Sequence, residues 1–289
     1  MALTESKKKL SGRLENEINR FCSNVDENSM DRKKGERLWE DPIIGYAGGD
    51  DPIFSQLKQD IGSFYWTPME IFKKTFPEVS VSPEDITVIS WILPQTEATK
   101  ADHRKETEYP SERWAISRLF GEKFNERLRG HVVELLQKSG FESVAPALSP
   151  HWTRNTSKTY GFASSWSERH TAYAAGLGTF GLCDGLITPL GKAIRCGSVV
   201  ANISIQPSER PYSDHHSYCL FYSKGTCKEC IQRCPAGAIS EKGHEKALCH
   251  KYLRQVTAPY TQKHYGLEVN NCGLCQTRVP CESQIPDIE

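Results

Sequence analysis

The chain has 289 residues, of which 38% are hydrophobic and 25% charged, and 36 basic residues balance 36 acidic ones. This length suffices for one substantial core and a smaller second unit. A balanced charge gives no general attraction to nucleic acid or to an anionic membrane. No apolar run approaches the roughly 18 residues of a membrane span, and the N-terminus lacks an apolar signal core. We therefore expect a cytoplasmic protein with no membrane partner; the sequence does not indicate its oligomeric state.

The first part of the chain predicts a packing helix, a polar linker and the start of an α/β unit. Apolar residues recur at helical spacing over 10–21, and a polar linker follows up to about residue 45. Asp51-Pro52 and Gly62 mark the two ends of a second helix. The almost continuous apolar, β-branched run over 86–93 predicts a buried strand.

The middle of the chain completes this unit. The amphipathic stretch 111–138 predicts a long helix that ends at Gly140, followed by a short strand over 143–147. Residues 198–205 predict another strand, and the composition changes sharply at Gln206-Pro207. The predicted organisation is an N-terminal helix and linker (1–45), an α/β domain (46–206) and a small C-terminal domain (207–289).

A glycine-rich loop precedes that last strand. Gly176, Gly178 and Gly181 form a G-x-G-x-x-G pattern, which cradles a pyrophosphate where it joins a strand to a helix. Here helix-like sequence precedes the pattern, so a dinucleotide site is not expected. Glycine also lets a main chain approach a flat cofactor closely, or lets a helix stop abruptly against a sheet. Cys183 and Cys196 flank the loop and could contact such a cofactor, although a buried free cysteine usually behaves as a small apolar residue.

Eight of the eleven cysteines lie between residues 219 and 281, with the spacing of ligands for two [4Fe-4S] clusters. Each cube takes four thiolates, and in two-cluster ferredoxins the cysteine before a proline binds the other cube. The first predicted set is Cys219, Cys227, Cys230 and Cys281, and the second is Cys234, Cys249, Cys272 and Cys275. Zinc sites and disulfides account less well for the Cys-Pro turn at 234–235. Cys281 is assigned by elimination, because Pro280 precedes it instead of following it.

Taken together, the cysteine motifs and the sequence AAGLGTFG at 174–181 resemble epoxyqueuosine reductases and, more distantly, reductive dehalogenases. The resemblance implies an α/β (α+β) fold, in which a nitroreductase-like cobalamin-binding domain precedes a small two-cluster ferredoxin-like domain. It implies a cobalamin-dependent oxidoreductase that passes electrons from two [4Fe-4S] clusters to a corrinoid and reductively cleaves a carbon-heteroatom bond. A ferredoxin or flavodoxin would supply electrons, and the substrate would be a small molecule or a modified nucleoside.

The resemblance also implies roles for individual residues. The implied cofactor contacts are Gly176, Leu177, Gly178, Phe180, Gly181 and Arg195. The family carries an acid shortly before a Glu-Arg pair, but residues 162–166 contain no carboxylate. The catalytic candidates are therefore Tyr160, His170 and Tyr173. Two other functions stay open: an electron-transfer or corrinoid-reactivating iron-sulfur protein without its own substrate, and a flavin-dependent nitroreductase-like enzyme.

Overall fold

A computed structural model describes residues 2–30 and 35–287, with side chains from residue 10 onward. The remaining residues of the predicted terminal segments (1, 31–34 and 288–289) lie outside the described residues. The helices are α1 (Ala2–Ser23), α2 (Pro52–Ile61), α3 (Pro68–Thr75), α4 (Glu97–Arg104), α5 (Glu112–Lys138), α6 (Glu168–Ala174), α7 (Leu220–Lys224), α8 (Glu229–Gln232), α9 (Lys246–Tyr252) and α10 (Ala258–Tyr265). The strands are β1 (Ile43–Gly48), β2 (Ile86–Pro94), β3 (Ser143–Val144), β4 (Arg154–Ser157), β5 (Gly161–Ser164), β6 (Thr179–Phe180), β7 (Leu186–Ile187), β8 (Ile194–Asn202), β9 (Ile239–Ser240) and β10 (Gly243–His244).

The centre of the fold is a four-stranded antiparallel sheet in the order β1-β2-β8-β3. Strands β2 and β8 pair over their whole length, from Ile86 opposite Asn202 to Pro94 opposite Ile194. The strand predicted at 198–205 is therefore wrong at both ends, because the pairing with β2 begins at Ile194 and stops at Asn202. The strand predicted at 143–147 is also shorter than expected, since only Ser143–Val144 pairs with β8.

Helices cover both faces of this sheet. Ile89, Trp91 and Leu93 pack into a core with α1 and α5, whereas Val88 and Ile92 point to the other face and pack with α2, α3 and α6. Side chains of a strand alternate between its faces, so a strand that is covered on both sides is apolar throughout. This explains the continuous apolar run that predicted β2, and every residue of β2 is buried.

The two predicted internal helices are confirmed together with their ends. The Asp51 carboxylate accepts a hydrogen bond from the Ile53 amide at the start of α2, which ends at Gly62. The Ser111 hydroxyl accepts from the Trp114 amide at the start of α5. Such side-chain caps satisfy amides that have no partner within the helix. Long as α1 and α5 are, no helix within 2–30 and 35–287 has the length and apolar character of a membrane span.

The C-terminal part of the chain is built from short helices and loops around a third apolar cluster. Residues on both sides of the predicted boundary at 206–207 contribute to this cluster, including Leu182 and Ile187 before it and Tyr218, Cys230 and Val279 after it. The loop that joins α6 to β8 therefore packs against the cysteine-rich part of the chain.

Candidate functional site

Two neighbouring cavities are lined by cysteines. The first has a volume of about 20 Å³ and is lined by Cys219, Cys227, Cys230 and Cys281. The second has a volume of about 290 Å³ and is lined by Cys183, Cys234, Cys249, Cys272 and Cys275. All eleven cysteines of the chain fall within the described residues and are free thiols. Each cavity thus has in its wall the four cysteines that the spacing assigns to one cube.

The loop that carries Cys281 is fixed from two directions. The Lys192 amide donates a hydrogen bond of 2.9 Å to the Cys281 carbonyl. The adjacent Glu282 is 5% exposed and accepts a hydrogen bond of 2.8 Å from Nε of Arg104 on α4. These contacts hold Cys281 beside the first cavity although its sequence motif is weak.

Gly191 permits the close approach of its own backbone to the backbone of the loop that carries Cys281. Its φ is +80°, and a Cβ at this position would lie 2.1 Å from the Glu282 carbonyl oxygen. A side chain here would be strained in its backbone conformation and would also displace the Cys281 loop.

The second set of cysteines is held by backbone and arginine contacts. The Ala238 amide donates to Sγ of Cys234 at 3.3 Å, in the turn that follows the Cys-Pro pair. Arg233 is 8% exposed and donates to the carbonyls of Leu274 (3.2 Å) and Thr277 (3.1 Å) on the loop that carries Cys275. Arg233 therefore fastens the second cysteine motif to the first.

Cys183 and Lys192 lie between the two cavities. The Cys183 thiol contacts the thiols of Cys230 in the first set and Cys275 in the second. Nζ of Lys192 lies 3.4 Å from Sγ of Cys183, and Lys192 is only 3% exposed. Burial alone would lower the pKa of Lys192, but negative charge on Cys183, Cys281 and their neighbours raises it well above its ordinary value. A single lysine has no spacing pattern, so the sequence does not predict that Lys192 contacts Cys183.

The second cavity also has a basic wall. Arg118, Arg169 and Arg195 line it, and its lining contains no carboxylate among the described residues. Burial and the neighbouring Arg195 lower the pKa of Arg118 to about 10. Behind this wall, burial opposes ionisation of Glu122, but Arg195 and its neighbours hold the pKa of Glu122 below its ordinary value. Guanidinium groups suit oxygen-rich or anionic ligands.

The three catalytic candidates lie apart from this wall. Tyr160 is 47% exposed, at the turn between β4 and β5. His170 and Tyr173 lie on α6, with their ring centroids 4.8 Å and 5.8 Å from that of Phe180. None of the three is among the residues that line either cavity in the described part of the chain. Their catalytic role stays a prediction; His244 and Tyr252, which sequence reasoning did not single out, do line the second cavity.

The predicted cofactor contacts are divided between the two cavities and the core. Arg195 lines the second cavity and Gly181 the first. Leu177 is buried in the core with α2, α3 and α6. Gly176 and Gly178 lie against backbone, since a Cβ would come within 2.3 Å of the Glu209 carbonyl oxygen and 2.2 Å of the Ile187 carbonyl oxygen. Close packing of the loop thus explains these two glycines, and their contact with a cofactor stays a prediction.

The side chains that line the two cavities are chemically compatible with the groups that the sequence predicts. No three or more His, Cys, Asp or Glu side chains within 2–30 and 35–287 are grouped to hold a metal ion. A [4Fe-4S] cube differs from such a site, because each of its four thiolates binds a different iron. Four cysteines around one cavity are its donor set. The guanidinium wall offers donors for the amide and phosphate oxygens of a corrinoid.

Comparison with known proteins supports the resemblance seen in the sequence. The chain is 30% identical over 120 residues to epoxyqueuosine reductases from Bacillus anthracis and Bacillus cereus. The matched region covers 39% of this chain and 29% of each relative, so the chain matches less than a third of their length. No protein-family model matches the chain. The predicted similarity to epoxyqueuosine reductases is confirmed over this region.

Solved structures extend the comparison to the fold. A reductive dehalogenase studied for B12-dependent dehalogenation has a TM-score of 0.52 at 11% identity, covering 84% of this chain and 30% of that chain. A catabolic reductive dehalogenase in complex with 3-bromo-4-hydroxybenzoic acid has a TM-score of 0.52 at 12% identity, covering 94% of this chain and 36% of that chain. The predicted mixed α and β fold, similar to that of reductive dehalogenases, is confirmed.

Proposed function

We propose that this chain is a cobalamin-dependent iron-sulfur oxidoreductase, in which two [4Fe-4S] clusters deliver electrons to a corrinoid for reductive cleavage of a carbon-heteroatom bond. The observation that carries the proposal is the separate lining of two neighbouring cavities by the two predicted cysteine sets. Chance packing gives no reason for the two predicted sets to separate in this way, with Cys183 as the one further cysteine in the lining of the second cavity. The partial similarity to epoxyqueuosine reductases supports the reaction class.

The cysteines and the arginines that line the cavities have distinct roles in this proposal. The eight thiolates would hold the cubes, and Arg118, Arg169 and Arg195 would bind oxygen atoms of the corrinoid and orient it beside the second cysteine set. Trp39 and Trp114 would keep water from the same wall. When bound, a reduced corrinoid supplies a cobalt centre that attacks or reduces a substrate, which no side chain can do. A ferredoxin or flavodoxin would supply the electrons, and the substrate would be a small molecule or a modified nucleoside.

A second candidate function is electron transfer to, or reactivation of, a corrinoid on another protein. It is favoured by the lining of the second cavity, which contains no carboxylate in the described residues and none of the candidates Tyr160, His170 and Tyr173. Such a protein would need the clusters and the basic wall but no proton donor of its own.

Iron analysis of the anaerobically purified protein tests the cluster part of the proposal. Two cubes require about eight irons per chain. C227A and C275A should each lose about four, because each removes one ligand of one cube, and the cluster absorbance should fall accordingly. C22A is the control: Cys22 is buried in the core with α1 and α5 and should leave the iron content unchanged. Eight irons retained in both ligand variants would show that the ligand assignment is wrong.

Spectra with and without hydroxocobalamin test the acceptor. A base-off corrinoid band is expected on binding, and failure to take up corrinoid would exclude the proposed cofactor. Extractable flavin in its place would favour the flavin-dependent nitroreductase-like alternative. Corrinoid reduction without turnover of any substrate, together with faster reduction of a separate corrinoid protein, would favour the second candidate.

A further inference from the structure

Lys192 is a buried cation without an acidic partner. It lies between β7 and β8, is 3% exposed and lines the first cavity. No ion pair between Lys192 and a carboxylate is found in residues 2–30 and 35–287. The nearest partner of its Nζ is Sγ of Cys183 at 3.4 Å, and the Cys281 thiol also contacts it.

A buried ammonium group requires compensating negative charge, and lysine is rarely buried without it. The groups that interact electrostatically with Nζ are the thiols of Cys183, Cys230, Cys275 and Cys281. Cys230 and Cys281 belong to the first predicted set and Cys275 to the second. A cube held by four thiolates carries net negative charge, so the cluster sites themselves are the counter-ions that would keep Lys192 buried.

The position of Cys183 brings this charge close to both sites. Its thiol contacts Cys230 on one side and Cys275 on the other, and Lys192 approaches it from the loop that joins α6 to β8. The first cavity is nearer to Lys192, because Lys192 lines that cavity and its own amide bonds the Cys281 carbonyl at 2.9 Å.

We propose that Lys192 is a positioning residue that raises the reduction potential of the cluster held by Cys219, Cys227, Cys230 and Cys281. Reduction adds one electron and makes the cube more negative by one charge. A fixed positive charge in a buried site therefore stabilises the reduced cube more than the oxidised one. The proposal rests on the proposed iron-sulfur function.

A redox titration followed by electron paramagnetic resonance measures this effect directly. K192M keeps the length and much of the volume of the side chain but removes its charge, whereas K192R keeps the charge. In K192M the ratio of reduced to oxidised first cluster at a fixed potential should fall at least tenfold, a downward shift of about 59 mV for a one-electron couple. K192R should shift the midpoint potential of the first cluster by less than half as much as K192M.

Lys228 offers a matched control. It lies between Cys227 and Cys230 in the sequence, but its side chain is 46% exposed and pairs with Glu241. Water and salt screen such a charge. K228M should therefore leave the midpoint potential close to that of the wild type, although it removes the same charge from the same motif.

The outcomes separate this inference from the function on which it rests. A wild-type iron content well below about eight per chain would contradict the proposed iron-sulfur function itself. K192M that retains its irons with an unchanged midpoint overturns the role of Lys192. If K192M loses iron, K192Q is titrated in its place and judged by the same criterion. Loss of the first cluster from both neutral variants, with retention in K192R, would make Lys192 a structural residue and would equally overturn the inference.

Discussion

Replacement of Arg129 by methionine tests whether a buried chain of charges holds the helix before the glycine loop to the sheet. Arg129 lies on α5 and is 3% exposed. Its Nε lies 3.1 Å from a carboxylate oxygen of Glu168 on α6, and its Nη1 lies 3.2 Å from Glu122. Its Nη2 donates to the carbonyl of Cys196 on β8 at 3.3 Å. One side chain thus connects α5, α6 and β8.

The expected loss of stability follows from the Glu168 carboxylate, which R129M leaves buried without its partner. Burial raises the pKa of Glu168, and Arg129 is the nearest charge that opposes this rise. Removing one partner of a buried ion pair costs about 3–5 kcal/mol, because the other charge stays buried without compensation. Glu122 keeps Arg195 as a partner, so we expect a loss near the lower end, about 3 kcal/mol. R129M/E168Q should recover part of it.

Anaerobic urea unfolding followed by circular dichroism at pH 7 and pH 5 measures this loss. Without Arg129, the folded-state pKa of Glu168 rises further above its unfolded value. Stability is then lost as the pH rises, so the deficit of R129M should be smaller at pH 5 than at pH 7. K138M is the control, because its pair with Glu134 has side chains 77% and 67% exposed and should change stability by less than about 0.5 kcal/mol. A loss below about 1 kcal/mol at pH 7, or a deficit that grows on acidification, would refute the argument.

Two further predictions concern the loop near the first cavity and the pH dependence of the fold. G191A should lower the free energy of unfolding by about 2 kcal/mol or more and remove about four irons, because its Cβ would displace the Glu282 carbonyl and the Cys281 loop. Thermal melting and iron analysis measure these two effects. The control is G12A, which should be neutral or stabilising because its Cβ meets nothing within 4 Å. Burial lowers the pKa of His170 from 6.5 to about 3, so the unfolded chain binds the extra proton at acidic pH. Stability should fall by about 2 kcal/mol on this account between pH 7 and pH 5, and H170Q should show a correspondingly shallower fall in unfolding titrations; equal slopes would contradict it.

The elements that the sequence predicts well are those with a local physical signal. Asp51 and Ser111 are caps whose side chains bond amides two or three residues ahead, so the starts of α2 and α5 can be predicted without the rest of the chain. The start of β8 could not, since Ile194 belongs to a strand only because it pairs with Pro94 of β2. That pairing depends on residues a hundred positions away, and no local pattern encodes it.

The candidate site divides in the same way. The spacing of the cysteines separates them into two sets of four, and the same sets line two cavities. The basic wall has no such signal, because Arg118 lies in a long amphipathic helix where an arginine predicts a solvated face. Cys183 packs in the third apolar cluster, as expected of a buried cysteine, but its contacts with Cys230 and Cys275 could not be predicted from any spacing. Tertiary packing alone brings these residues together.

The loop between α6 and β8 connects the central sheet to both cysteine sets. Its residues Cys183 and Lys192 meet both cysteine sets, while Arg195 begins β8 and lines the second cavity. Gly191 lets the same loop touch the Cys281 segment backbone to backbone. The loop ends at β8, which is paired along its whole length with the fully buried β2, so the central sheet fixes this end of the loop. An electron acceptor bound to the basic wall would thus be held at a fixed distance from the second cysteine set, which single-electron transfer between separate groups requires.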